Sequence, residues 1–180
     1  MLLFHKDKKH FHQRRILMDR NEETSRPAKV RIADKLSPDR IIINLEGNDR
    51  EEVIKELGGL LKDDPGMGDY DKFIEAVFKR ENDESTGIGH GVAIPHARTN
   101  FVNDFVIAIG RKKDGIDFQA VDEKPAEIII LMGTPLTKIS SYLKLLSHLI
   151  NLLKRPGFVD ALCNAPNPEG IVEVFRQYEK

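Results

Sequence analysis

The run Arg80-Glu81-Asn82-Asp83-Glu84-Ser85-Thr86-Gly87-Ile88-Gly89-His90-Gly91-Val92-Ala93-Ile94-Pro95-His96-Ala97-Arg98 gathers the residue types that phosphoryl chemistry uses. Glycines at 87, 89 and 91 let main-chain N–H groups come close to an anion. Arginines at both ends offer planar forks that match phosphate oxygens, and Ser85 and Thr86 add hydroxyls. His96 follows Pro95, whose ring fixes φ and biases Ile94 toward extended backbone, so the imidazole leaves a strand-like end with little freedom. Neutral imidazole is a nucleophile near pH 7, and a phosphoryl group on a ring nitrogen is reactive enough to be passed on. The surroundings must keep one nitrogen unprotonated and spread the charge of the transferring oxygens. These residues read as a phosphoryl-accepting site: His96 as acceptor, with Arg80, Ser85 and Thr86 folded back over it by the glycine bend. His90, between two glycines, reads as a loop-shaping or rim residue rather than a second nucleophile. Arg98 reads either as a charge facing a partner or as a solvated side chain.

The flanking chain must hold that segment in place. Arg40 to Leu45 is β-branched and reads as a strand. Asn48 or Asp49 caps a helix with Val53, Ile54, Leu57, Leu60 and Leu61 at helical spacing, and Pro65 to Gly68 breaks it. A second helix over about 69–79 carries Tyr70, Phe73, Ile74 and Val77 on one face and leads into Arg80. Phe105 to Ile109 and Ala126 to Met132 read as strands, the second apolar enough to be central, with a short edge strand at Gly115 to Phe118 between them. Helices follow over about 139–154 and 158–163, and a last one after Pro168 that ends near Tyr178. Strands interleaved with helices predict a single layered α/β domain.

With 180 residues and 40% hydrophobic content the chain can bury one proper core. Charged residues make up 32%, but they balance to -1, which argues against nucleic acid as a partner. No apolar run approaches the roughly 20 residues of a membrane span, so no membrane insertion is expected. The single cysteine, Cys163, excludes an internal disulfide and points to a reducing, cytoplasmic setting. Residues 1–27 hold seven basic against four acidic side chains and read as a poorly ordered basic extension, with the domain proper at 28–180. His5, His10 and His12 lack a further ligand, so no metal is expected there, and no cofactor is implied elsewhere.

The ordered string Arg-Glu, Ser-Thr-Gly-Ile-Gly, Gly-Val-Ala-Ile-Pro-His-Ala-Arg resembles the active-site segment of the fructose/mannitol class of enzyme IIA in the bacterial phosphoenolpyruvate-dependent phosphotransferase system. Its nitrogen-regulatory branch is the nearest likeness, and the resemblance covers about residues 29–178. It implies a small mixed β-sheet flanked by helices on both faces, and a regulatory phosphoryl carrier. It also implies an HPr-type phosphocarrier as donor, and a IIB protein or a regulated target as the next partner. A IIA-like binding module without efficient transfer, and a sugar-specific IIA component serving a separate permease, are the alternatives. Members of the family generally carry a second histidine in a His-Leu-x-x-Leu pattern, and here that position is Tyr142. His148 lies six residues on, about 9 Å along a helix and about 240° around it, and cannot stand in. Tyr142 reads either as a hydrogen-bond donor to a phosphoryl oxygen or as a core aromatic in line with Leu145, Leu146, Leu149 and Leu153.

Overall fold

A computed structural model describes residues 31–180. The basic extension expected at 1–27 lies outside the described residues. The strands are β1 (Ile41–Ile42), β2 (Gly87–Gly89), β3 (Val92–Ala93), β4 (His96–Thr99), β5 (Val106–Ile116) and β6 (Ala126–Pro135). The helices are α1 (Arg50–Gly59), α2 (Tyr70–Asp83), α3 (Ile139–Leu153), α4 (Phe158–Cys163) and α5 (Pro168–Tyr178).

One mixed sheet runs β1-β5-β6-β3-β2, and β4 also pairs with β6. β6 is central, as its apolar run predicts. It pairs antiparallel with β5 along one edge, and in parallel with β3 and then β4 along the other. β3 and β4 are thus two pieces of one edge, parted at Ile94-Pro95 because proline has no N–H to give the ladder. The break still bonds outward: Pro95 O accepts from Met132 N, and Ile94 N donates to Thr86 O.

Alternation along β5 and β6 makes two buried faces. Val106, Ala108, Ile129 and Leu131 join Ala93 and Ala97 in a core closed by Val53, Ile54 and Leu57 of α1 and by Phe73 and Val77 of α2. Ile107, Ile109, Ile128 and Ile130 are equally buried and alternate with them. On that second side α4 meets β6 and α5 meets β1, with Leu149, Phe158, Leu162 and Phe175 buried. The caps are local: the Asp49, Asp69 and Asn167 side chains accept from Glu52 N, Lys72 N and Gly170 N at the starts of α1, α2 and α5.

Three boundaries differ from the sequence reading. The strand expected over 40–45 shrinks to Ile41–Ile42, since Arg40 ends a 3-10 turn and the Arg111 side chain takes the Ile43 carbonyl. The edge strand expected at 115–118 is instead in part the end of β5, which stops at Ile116 and is reached across a register shift between Arg111 and Ile116 that includes Gly115, where φ is +69°. The second helix continues to Asp83, so Arg80 sits in the last turn of α2 rather than beyond it.

Candidate functional site

His96 opens β4, opposite Met132 of β6, and is half-buried. Its Nδ1 lies 2.7 Å from the Ile94 carbonyl oxygen. A carbonyl only accepts, so Nδ1 carries the ring proton and the lone pair of the neutral imidazole is on Nε2. Burial holds the His96 pKa below its ordinary 6.5. The Ile94 hydrogen bond opposes that shift, the Arg80 charge adds to it, and the Glu81 carboxylate opposes it. The neutral imidazole therefore dominates at pH 7.

His96 lines a cavity of about 460 Å³ together with Lys79 and Arg80 of α2, Arg98 of β4 and Tyr142 of α3. Three cations thus come from two elements to one space. Arg80 is anchored by Nη1 donating to Glu84 O at 2.7 Å, while its Nη2 stands 3.7 Å from Glu84 Oε2. The Arg98 guanidinium lies 6.0 Å above the Tyr142 ring, and that ring is 6.1 Å from the imidazole, tilted by 35°. Tyr142 thus stands beside His96. It lines the cavity and is half-buried, while Leu145 and Leu149 take the buried stripe of α3.

The glycine segment does not carry the two hydroxyls into this cavity. Gly89, His90 and Gly91 all have positive φ and form the turn between β2 and β3, with exposed His90 donating its N–H to Asp122. Ser85 Oγ donates to the Phe118 carbonyl and accepts from Gly87 N, so it fastens the β2 end of the hairpin to the loop after β5. Thr86 Oγ1 donates to Glu81 Oε2, and Thr86 N donates to Glu81 Oε1 at 3.2 Å. Sequence order suggested a bend that turns these groups back on the imidazole. The β2–β3 pairing turns them instead toward α2 and the loop after β5.

Glu81 was missed by the sequence reading. Its carboxylate is 4% exposed, ties α2 to the start of the glycine segment, and takes Arg50 Nη1 as an ion-pair partner at 3.7 Å. A signal existed: Glu81 shares the face of Ile74 and Val77 at helical spacing, and a carboxylate on a buried face needs donors. Lys79 carried no such signal. The hydroxyl of Thr134, in register with Arg98, is buried on the face that carries His96 and has no hydrogen-bond partner among the described residues. His148 points away from this chemistry, with Nε2 2.7 Å from buried Glu179. Among the described residues no group of three or more metal-ligating side chains is formed, and no helix is long and apolar enough to cross a membrane.

Residues 34–178 match the family described as phosphoenolpyruvate-dependent sugar phosphotransferase system, EIIA 2. The chain is 34% identical over 151 residues, 84% of its length, to the fructose-specific EIIABC component of Bacillus subtilis (strain 168), of which it spans 24%. It is 27% identical to a nitrogen regulatory protein of Pseudomonas aeruginosa, covering 81% of this chain and 94% of that one. The fold superposes on the crystal structure of nitrogen regulatory protein IIA-Ntr from Neisseria meningitidis with a TM-score of 0.74 and 27% identity, over 80% of this chain and 98% of that one.

Proposed function

Because the chain belongs to the EIIA 2 family of the phosphoenolpyruvate-dependent sugar phosphotransferase system, we propose that it is a phosphoryl carrier whose acceptor is Nε2 of His96. The observation that carries this reading is the Nδ1–Ile94 hydrogen bond, which leaves the Nε2 lone pair on an imidazole lining a cationic cavity. In the step, that lone pair attacks the phosphorus of an HPr-type phosphocarrier. The bond from phosphorus to the donor's leaving atom breaks, and its electron pair stays with the donor. Arg80, Lys79 and Arg98 offset the charge on the transferring oxygens, and the Tyr142 hydroxyl offers them a donor. Ser85 and Thr86 act one step removed, fastening the glycine segment that delivers His96. No cofactor or metal is needed for these steps.

The phosphoryl group then passes to a IIB protein or stays as a signal read by a regulated target. Regulation is the reading we favour. Likeness to nitrogen regulatory proteins supports it, and so does Tyr142, which offers a single hydroxyl where an imidazole offers two ring nitrogens. The setting is cytoplasmic, in line with a single cysteine. Residues 28–180 form the carrier domain and 1–27 a basic extension of it.

Incubation with phosphoenolpyruvate, enzyme I and an HPr-type carrier, followed by intact-mass analysis, tests the proposal. One acid-labile phosphoryl group that disappears in His96→Ala is expected. Label persisting in His96→Ala, or no label where a known IIA protein is labelled, overturns it.

A further inference from the structure

A second cavity, about 630 Å³, lies between the tip of the β2–β3 hairpin, the start of β6 and the junction of α3 with α4. It is larger than the His96 cavity and within the range of small-molecule sites. Lys124, Lys154 and Arg155 converge on it from segments about thirty residues apart. None of the three stands in ion-pair contact with a carboxylate among the described residues. Arg155 spends one N–H on the Tyr178 carbonyl, and among the described residues neither lysine spends an ammonium proton on an acceptor. Asp122 is near enough to feel the Lys124 charge, yet its carboxylate is held by the backbone N–H groups of His90 and Lys124. Uncommitted cations around a concave space attract an anion, and three of them suit the dianion of a phosphate monoester.

The lining also carries acceptors, Glu127 and Asp160. Cys163 also lines it, but burial first, and then the Glu127 carboxylate, push the thiol up to about 11. It stays a thiol at neutral pH and offers no nucleophile, so the cavity is equipped to bind and not to react. A ligand that satisfies both kinds of group carries a phosphate together with hydroxyl or ammonium donors.

We propose that this cavity is a binding site for a small organophosphate bearing hydroxyl or ammonium groups, its phosphate held by Lys124, Lys154 and Arg155 and its donors by Glu127 and Asp160. Its wall is continuous with the reactive segment: Gly91 O accepts from Glu127 N and Ile128 N, and β3 then leads to the Ile94 carbonyl that holds His96. Binding does not depend on the chemistry assigned to His96, so the two readings fail separately.

Titrating the full chain with glucosamine 6-phosphate, followed by the backbone amides, tests the site. Saturable shifts at Gly91, Lys154 and Gly157 are expected, with glucosamine alone leaving them in place. The double variant Lys124→Glu/Lys154→Glu is expected to weaken binding at least about tenfold, and both side chains are exposed, so the fold should persist. No saturation, saturation confined to the amides of Ala97 and Arg98, or equal affinity in the double variant overturns the proposal.

Discussion

Replacing Arg80 with alanine removes one of three cations around His96 and is expected to slow phosphoryl acceptance by about 10- to 30-fold. At about 5 Å and an effective dielectric of about 20, one unit charge is worth roughly 3 kcal/mol to another. The Arg80 side chain is 35% exposed and shares its charge with Glu84, so screening and the competing carboxylate cut this to about 1.5–2 kcal/mol. Each ~1.4 kcal/mol of barrier is a factor of ten in rate. The same substitution should raise the His96 pKa, because the guanidinium disfavours the imidazolium form. Arg80→Lys keeps the charge but loses the fork and the bond to Glu84 O, and an intermediate rate is expected. Single-turnover transfer from a phosphorylated donor measures the first quantity, and NMR titration of the His96 ring measures the second. A rate within a factor of two of wild type, with an unmoved or lowered His96 pKa, refutes the electrostatic argument and leaves Arg80 as a cap for the end of α2.

Three other outcomes follow from the geometry. Glu81→Ala strands two donors of Thr86 and the charge of Arg50, and should cost about 2–3 kcal/mol in urea unfolding; a loss under about 0.5 kcal/mol means that Glu81 does not tie α2 to the glycine segment. Tyr142→His should speed onward transfer to a IIB acceptor by about tenfold or more, read by label exchange, since an imidazole beside His96 can exchange protons near pH 7; no gain would make Tyr142 packing alone. Because the folded His96 pKa is below 6.5, the unfolded chain binds the proton first as pH falls. The contribution of His96 to stability is therefore full above about pH 6.5 and declines below it toward the folded pKa. Acceptance should likewise be flat above pH 6.5 and fall at lower pH, and a rate that drops between pH 8 and 7 contradicts the assignment of His96 as a neutral nucleophile.

Much of the fold was legible because its causes are local. The stripe Val53, Ile54, Leu57 and Leu61 announces α1, and the run from Ala126 to Met132 announces a strand buried on both faces. The edges were harder to read. β1 is short because the Arg111 side chain of β5 takes the next carbonyl, that of Ile43, and β5 is long because pairing resumes at Ile116 beyond a register shift that includes positive-φ Gly115. Neither cause lies within the segment whose pattern was being read.

For the site, residue order placed His96 behind a proline with arginines to either side, which made it the candidate acceptor. Proline geometry and imidazole chemistry belong to the residues themselves and need no neighbours. Where Ser85 and Thr86 point, what Glu81 holds, and which ring stands beside His96 were settled by tertiary structure. Tyr142 is 46 positions from His96 in the sequence, and the two meet because β4 pairs with β6 and the chain beyond β6 turns into α3. The second cavity arises in the same way, from three segments that no sequence spacing relates. A residue's reactivity is intrinsic, but its partners depend on strand register and helix packing, which are fixed only when distant segments compete for the same buried space.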